Sequence, residues 1–123
     1  MVRVLAVDDD PTILRLLQVN LEMDGHEVHL AENGLRALEQ VRDVAPEVVL
    51  LDIMMPDLDG WQVCERLRAD EAYRDLPIVF LSARAQEADL ARGREVGADA
   101  YITKPFDPEA LIETVERLAR DGR

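Results

Sequence analysis

The sequence predicts an α/β protein with a five-stranded parallel sheet that is covered by helices on both faces. Short apolar segments alternate five times with segments of helical spacing along the 123 residues, which is the pattern of β-α units. The central apolar segment, Val48 to Leu51, is continuous rather than alternating, as expected of a strand buried on both faces of a parallel sheet. Right-handed crossovers leave few topologies, and five strands fit the doubly wound order 2-1-3-4-5.

Each predicted strand is a short, mostly apolar run, and a polar or charged residue either ends it or follows it directly. The five strands are predicted at Val2 to Val7, Val28 to Ala31, Val48 to Asp52, Ile78 to Ser82 and Ala100 to Thr103. The second has polar neighbours, His26 and His29, which is typical of a strand at a sheet edge. We expect both imidazoles to be solvated surface groups.

Five helices are predicted from apolar residues at spacings of three and four. Their start signals, in chain order, are Asp10-Pro11, Asn33-Gly34, the loop that ends at Gly60, Glu87 and Asp107-Pro108. Asp10 is a suitable N-cap, and a proline in the first turn loses no hydrogen bond. The last helix carries the clearest apolar stripe, from Leu111 to Ala119.

Two of the helices come with specific predictions about their faces. The third is expected to bury Val63, Cys64 and Leu67 and to direct Arg66 and Arg68 outward. The fourth, Glu87 to Val96, has only a thin apolar face, which consists of Ala88, Leu90 and Ala91. A helix with so little apolar surface is one that shifts at low cost.

Length and composition restrict the class of protein. A chain of 123 residues has the length of one domain, which we assign to residues 1–123. The net charge of −12 argues against direct binding of nucleic acid or of an anionic membrane. No apolar run approaches the roughly 20 residues of a membrane span, and the start lacks a signal-peptide pattern. One cysteine, Cys64, permits no internal disulfide, so a cytoplasmic location is expected.

Three aspartates follow strands that are neighbours in the predicted order. Asp8 and Asp9 follow the first strand and Asp52 ends the third, so their carboxylates should meet at the carboxyl edge, where parallel sheets bind ligands. A single aspartate there would be explained by capping, but three close carboxylates repel unless a cation or a proton is shared. Few hard oxygen ligands suit Mg²⁺ better than Ca²⁺, and two histidines with one cysteine do not make a zinc site.

Two further strand ends bring a hydroxyl and a cation to the same edge. Ser82 follows the fourth strand and Lys104 follows the fifth. With Asp52 they supply a carboxylate nucleophile, a donor and a positive charge, which are the groups that phosphoryl transfer needs. The chain has no Gly-rich phosphate loop, so a bound nucleotide is not expected.

Four motifs that contain these residues resemble the receiver domain of two-component response regulators, the family of chemotaxis-regulator-like proteins. They are VDDD at 7–10, LLDIMMPDLDG at 50–60, LSA at 81–83 and GADAYITKPF at 97–106. The resemblance covers the whole chain and implies the flavodoxin-like receiver fold. It implies that Asp52 is the phosphoacceptor, which takes a phosphoryl group from a histidine kinase or a histidine phosphotransfer protein. Asp8, Asp9, Asp52 and the backbone carbonyl of Met54 would hold Mg²⁺, with Mn²⁺ as a substitute.

The resemblance also implies how phosphorylation is sensed. Ser82 and Lys104 would bind phosphoryl oxygens, and the Lys104-Pro105 peptide bond would be cis. Tyr101 would be the switch aromatic, which moves inward as Ser82 shifts toward the phosphate. The fourth helix, last strand and last helix would form the surface that an output domain, an effector protein or a second copy reads. Such a domain is not a conventional enzyme, because it catalyses only its own phosphorylation and dephosphorylation.

The lifetime of the phosphorylated state is expected to depend on two positions. Met54 and Arg84 each lie two residues beyond a site residue and should flank the path of the attacking water. The apolar Met54 offers that water no hydrogen bond, so we expect slow self-dephosphorylation.

Three other functions fit parts of the pattern. A haloacid-dehalogenase-type phosphatase needs a general acid two residues after its aspartate nucleophile, where this chain has Met54. A flavodoxin-like FMN binder needs a hydroxyl-rich loop after the first strand, where Asp8, Asp9 and Asp10 would repel phosphate. A degenerate receiver that only binds a partner would not need the full acidic set.

Overall fold

A computed structural model describes all residues, Met1–Arg123, and shows one parallel sheet in the order β2-β1-β3-β4-β5. The strands are β1 (Arg3–Val7), β2 (Glu27–Ala31), β3 (Val48–Asp52), β4 (Ile78–Ser82) and β5 (Ala100–Thr103). The predicted fold class and strand order are confirmed. In the parallel register, Val7 pairs with Leu51 and Asp52 pairs with Leu81, so the carboxyl ends of β1, β3 and β4 lie side by side.

Five helices connect and follow the strands, as predicted. They are α1 (Pro11–Met23), α2 (Gly34–Val44), α3 (Gly60–Ala69), α4 (Glu87–Val96) and α5 (Pro108–Asp121), with an additional 3₁₀ turn at Glu71–Tyr73. The Asp10 carboxylate accepts a hydrogen bond from the Thr12 N–H at 2.9 Å, which confirms it as the N-cap of α1. No helix is both long enough and apolar enough to cross a membrane.

The core consists of two apolar layers, one on each face of the sheet. α1 and α5 cover one face with leucines and valines, and α2 and α3 cover the other, where Trp61 packs edge-on against Phe80 at 5.1 Å between ring centroids. All five residues of β3 are buried, including Asp52. The Asp52 carboxylate therefore lies at the end of a strand that is fixed by close packing.

The prediction for His26 is wrong, because its imidazole is buried. His26 Nδ1 accepts a hydrogen bond from the Val2 N–H at 3.0 Å, and Nε2 lies 2.8 Å from a Glu116 carboxylate oxygen. Asp24, His26 and Glu116 have ligand-type atoms within 4.8 Å of one another. Because Nδ1 acts as an acceptor, Nε2 carries the ring proton and donates a hydrogen bond to Glu116. Nε2 is therefore not free to bind a metal. His29 stays partly exposed and contacts Glu27.

The predicted faces of α3 and α4 need correction. Arg68 does not point into solvent: its guanidinium donates to the carbonyls of Gly97, Tyr73, Arg74 and Leu76 and pairs with Asp99 at 3.0 Å. On α4, Ala88 is exposed, and the buried residues are Asp89 and Gly93. The side of α4 that faces the protein therefore carries a carboxylate and a glycine, which apolar periodicity does not reveal.

Gly60, at the start of α3, allows a close approach to the end of β3. A Cβ atom at this position would meet the carbonyl oxygen of Asp52 and would lie 2.7 Å from the Cα of Ile53. The Gly60 N–H donates to the Ile53 carbonyl at 2.9 Å. Both neighbours are backbone, so they cannot yield as a flexible side chain does.

We expect Gly60→Ala to destabilise the protein by about 3 kcal/mol because the added methyl group displaces the backbone next to Asp52. Urea unfolding measures the change. Gly25→Ala is the control, because Gly25 has a φ of +86° and open space around it, so that variant should lose only about 1–2 kcal/mol from backbone strain. An equal or larger loss for Gly25→Ala would contradict the interpretation of Gly60.

Candidate functional site

Three carboxylates converge at the carboxyl edge of β1 and β3. Asp8, Asp9 and Asp52 each place a carboxylate oxygen within 4.8 Å of the others. Asp8 is 1% exposed and Asp52 is 4% exposed, whereas Asp9 is open to solvent. Asp8 is held in place by the Asp10 N–H, which donates to its Oδ1 at 2.9 Å. The cluster thus has two buried acids and one open side that Asp9 borders.

Lys104 lies between the two buried carboxylates. Its Nζ donates to Asp8 Oδ2 at 2.8 Å and to Asp52 Oδ1 at 3.1 Å. The Lys104-Pro105 bond is cis, as the resemblance implied. The backbone N–H of Lys104 donates to the carbonyl of Ser82 at 2.9 Å, which joins the ends of β4 and β5. One ammonium group against three carboxylates leaves the cluster with a net negative charge.

The electrostatics of the cluster raise the pKa of Asp52 to about 6. Burial is the largest cause, the negative charge of Asp8 adds to it, and the hydrogen bond from Lys104 opposes it. Burial also disfavours the charged form of Lys104, but its hydrogen bonds to Asp8 and Asp52 outweigh burial and raise its pKa. At neutral pH Asp52 is therefore mostly ionised and more basic than an ordinary aspartate.

Ser82 and Tyr101 are linked through one residue of the loop after β4. The buried Ser82 Oγ accepts a hydrogen bond from the Arg84 N–H at 3.1 Å. The Tyr101 hydroxyl donates to the Arg84 carbonyl at 2.6 Å, and its ring packs edge-on against Phe80 at 6.2 Å. Tyr101 is half-buried, so part of its ring is accessible to solvent.

Met54 and Arg84 meet at the outer rim of the site. The Arg84 guanidinium lies 3.6 Å from Met54 Sδ, and the Met54 side chain is 56% exposed. The Met54 carbonyl accepts no hydrogen bond from the rest of the protein. These two side chains were predicted to flank the path of an attacking water, and this role stays a prediction.

The donor set fits a hard divalent cation. It consists of carboxylate oxygens in a small, net negative cluster and includes no thiolate or imidazole. The Met54 carbonyl, two residues after Asp52, accepts no hydrogen bond. Mg²⁺ prefers a few such oxygens and keeps several waters. Asp8, Asp9, Asp52 and the Met54 carbonyl are the groups that would hold it.

The comparisons with known proteins identify the family. The family model described as the response regulator receiver domain matches residues 4–116. The chain belongs to this family. Its receiver fold is also seen in the chemotaxis protein CheY4 of Vibrio cholerae, with a TM-score of 0.90 at 32% identity over 95% of this chain and 98% of that one. The receiver domain of the Francisella response regulator 1452 has a TM-score of 0.91 at 32% identity and covers 98% of both chains.

Curated relatives of this receiver domain include transcription regulators. The DNA-binding dual master transcriptional regulator RpaA of Synechocystis is 42% identical over 98% of this chain and 50% of its own length. PhoP of Bacillus subtilis, named as an alkaline phosphatase synthesis transcriptional regulatory protein, is 41% identical over 96% of this chain and 48% of its own length. The chain thus spans about half the length of these relatives.

The structure adds one ion pair to the residues that the sequence analysis singled out. The structure places Asp8, Asp9, Asp52, Ser82 and Lys104 at the same edge of the sheet, as predicted; their roles stay predictions. Asp89 was not singled out, although its carboxylate lies 2.8 Å from the Arg84 guanidinium. An acid in the first turn of a helix is common, because it interacts favourably with the helix dipole, so its spacing gave no signal of a specific contact.

In the metal-free receiver domain we expect Asp52 to titrate near pH 6 by carbon-detected NMR. Asp8→Asn should lower this pKa, because it removes the adjacent negative charge, whereas the exposed Asp57→Asn should leave it unchanged. The folded-state pKa lies above the ordinary value of 3.8, so the protonated form stabilises the fold at low pH and this stabilisation is lost as pH rises through 6.

The same shift predicts the stability of Asp52→Asn, whose side chain cannot ionise. Relative to the wild type, this variant should gain stability on the order of 2 kcal/mol between pH 4 and pH 7.5. Chemical unfolding at the two pH values measures the gain. If the difference in the free energy of unfolding between the two proteins were constant across this range, ionisation of Asp52 would not destabilise the fold.

Proposed function

We propose that residues 1–123 act as a receiver domain that accepts a phosphoryl group on Asp52 in a Mg²⁺-dependent reaction. The observation that carries this proposal is the buried, basic carboxylate of Asp52 with Lys104 and two further acids around it. An aspartate that served only the fold would gain nothing from a neighbouring acid that destabilises its charge. Perturbed carboxylates of this kind are typical of functional sites.

In the proposed reaction, an Asp52 oxygen attacks the phosphorus of a phosphohistidine on a kinase or a phosphotransfer protein. The new O–P bond forms as the P–N bond breaks, and the electron pair returns to the imidazole, which takes up a proton. The divalent ion, when bound, neutralises charge on the phosphoryl oxygens. Lys104 moves from carboxylate to phosphoryl oxygen, and the Ser82 hydroxyl donates to another. In this proposal the domain catalyses only its own phosphorylation and dephosphorylation.

The proposed output depends on the switch residues. Once Ser82 shifts toward the phosphoryl group, Tyr101 moves further inward and the surface of α4, β5 and α5 changes its preferred arrangement. An output domain, an effector protein or a second copy of the chain would read this surface. The curated relatives are named as DNA-binding or transcriptional regulators, so we propose that any DNA binding is carried by residues or partners outside these 123. The single cysteine, Cys64, favours a reducing cytoplasm.

The alternative functions find less support. The Met54 side chain occupies the position where a dehalogenase-type phosphatase needs its general acid. The acidic residues after β1 would repel the phosphate of a flavin. A degenerate receiver that only binds a partner would not need the complete acidic set.

Intact mass after incubation with acetyl phosphate and Mg²⁺ tests the proposal. We expect one added phosphoryl group on the wild type, none on Asp52→Asn, and none on the wild type with excess chelator. Asp57→Asn is the matched control, because it removes a carboxylate five residues away and should still be phosphorylated. A modified Asp52→Asn protein would assign the phosphoryl group to another residue, and an unmodified wild type would contradict the proposed function.

The lifetime of the phosphorylated protein should depend on Met54. Met54→Asn places an amide beside the path of the attacking water and should speed hydrolysis roughly fivefold, the value of one hydrogen bond. Met54→Leu retains an apolar side chain of similar size and should not change the rate. The decay of the phosphorylated mass measures both. A wild-type half-life of seconds, or equal rates for all three proteins, would contradict the assigned role of Met54.

A further inference from the structure

Arg84 contacts several parts of the proposed switch. Its backbone N–H donates to Ser82 Oγ at 3.1 Å and its carbonyl accepts from the Tyr101 hydroxyl at 2.6 Å. Its guanidinium pairs with Asp89 of α4 at 2.8 Å and contacts Met54 Sδ at 3.6 Å. One residue thus connects the phosphate-binding hydroxyl, the switch aromatic, the loop after the phosphoacceptor and the helix that is expected to move.

The Arg84–Asp89 ion pair is asymmetric in its burial. The Asp89 side chain is only 9% exposed, whereas that of Arg84 is 51% exposed. Asp89 Oδ2 also accepts from the Gln86 N–H at 3.3 Å, so the carboxylate is held at the start of α4. A carboxylate this buried needs a cationic partner, and Arg84 is the cation that the structure provides.

This ion pair fixes the first turn of α4, whereas Val96 at the other end of the helix packs against the apolar core. The helix buries only Asp89 and Gly93. A Cβ atom on Gly93 would lie 3.3 Å from the Tyr101 ring and 3.4 Å from the Phe80 ring, so this contact is close but small. Arg92 lies over the Trp61 ring at 4.5 Å. With so few apolar contacts, the loss of one ion pair changes the position of α4 more than it would that of a well-packed helix.

Arg84 joins the ion pair to the hydroxyl that is proposed to bind the phosphoryl group. Displacement of Ser82 Oγ toward a phosphoryl group either breaks its bond from the Arg84 N–H or draws Arg84 along with it. In the second case, the Arg84 carbonyl moves relative to Tyr101 and the guanidinium moves relative to Asp89. The existing contacts of Arg84 therefore favour the arrangement that precedes phosphorylation.

We propose that the Arg84–Asp89 ion pair is a latch that holds α4 in its unphosphorylated position and opposes phosphorylation of Asp52. The inference rests on the proposed function and adds a regulator of the same site. By linkage, a contact that stabilises the unphosphorylated arrangement weakens the affinity for a phosphoryl group by the same factor. Removal of the latch strengthens that affinity.

Binding of beryllofluoride with Mg²⁺, measured by calorimetry, tests the latch, because beryllofluoride imitates a phosphoryl group on a carboxylate. We expect Asp89→Asn to bind roughly fivefold more tightly than the wild type, as the loss of one partly exposed ion pair predicts. Glu87→Gln is the matched control: it also removes a negative charge from the first turn of α4, but Glu87 forms no ion pair in the structure, so its affinity should stay within about twofold of the wild type.

A double-mutant cycle distinguishes the latch from a general effect on stability. Arg84→Gln removes the same pair from its exposed side and should also tighten binding, and the double variant should bind no more tightly than either single variant. Amide exchange should show faster opening at the start of α4 in both single variants without beryllofluoride. Additive effects, or an unchanged affinity in Asp89→Asn, would overturn the latch while leaving the proposed function intact. A wild type that binds no beryllofluoride would overturn the proposed function and the latch with it.

Discussion

The site depends on the interaction of the Lys104 ammonium group with the two carboxylates between which it lies, Asp8 and Asp52. Two buried carboxylates at the ends of adjacent strands would repel each other strongly without it. Lys104 donates to both, yet the pKa of Asp52 remains raised to about 6. Burial is the largest cause of this raised pKa and the charge of Asp8 adds to it, so the compensation by Lys104 is incomplete, and a divalent ion is suited to supply further positive charge. The same incompleteness keeps Asp52 basic, which a nucleophile needs.

The sheet supplies the precision that this arrangement requires. β3 is buried along its whole length, and the Asp52 backbone is tightly surrounded, because even a Cβ atom on Gly60 would collide with it. The parallel register places β1 and β4 on either side of β3, so three strand ends are fixed relative to one another. The movements in the proposed switch then concern side chains at the strand ends, such as Ser82, Tyr101 and Lys104, together with the loops beyond them and α4.

The strand order and the convergence of the acids were predictable because both arise from local patterns. Apolar runs mark strands, and alternation with helices determines a parallel sheet whose carboxyl ends coincide. The errors concern polar groups that are satisfied by distant residues. The partner of His26 is Glu116, 90 positions away, and Arg68 is held by carbonyls from two separate loops. The residue spacing within one segment does not predict such contacts, since they depend on how the helices, strands and loops pack against one another. The Arg84–Asp89 pair escaped notice for the same reason, although its members are only five residues apart.

The contrast between α4 and α5 explains why, within the proposed switch surface of α4, β5 and α5, α4 is the element that we expect to move. α5 buries Leu111, Val115 and Leu118 against the sheet, which costs several kcal/mol to undo because each large aliphatic side chain contributes about 1.5–3 kcal/mol when buried. α4 fully buries only Asp89 and Gly93, and its half-buried Val96 packs against the core, so α4 has less apolar attachment than α5. A single phosphoryl group changes the local free energy by only a few hydrogen bonds and ion pairs. Such a signal is too weak to move a helix with an apolar stripe, but it is comparable to the contacts of α4. The low apolar content of α4 is therefore what would make one phosphoryl group sufficient for the proposed switch.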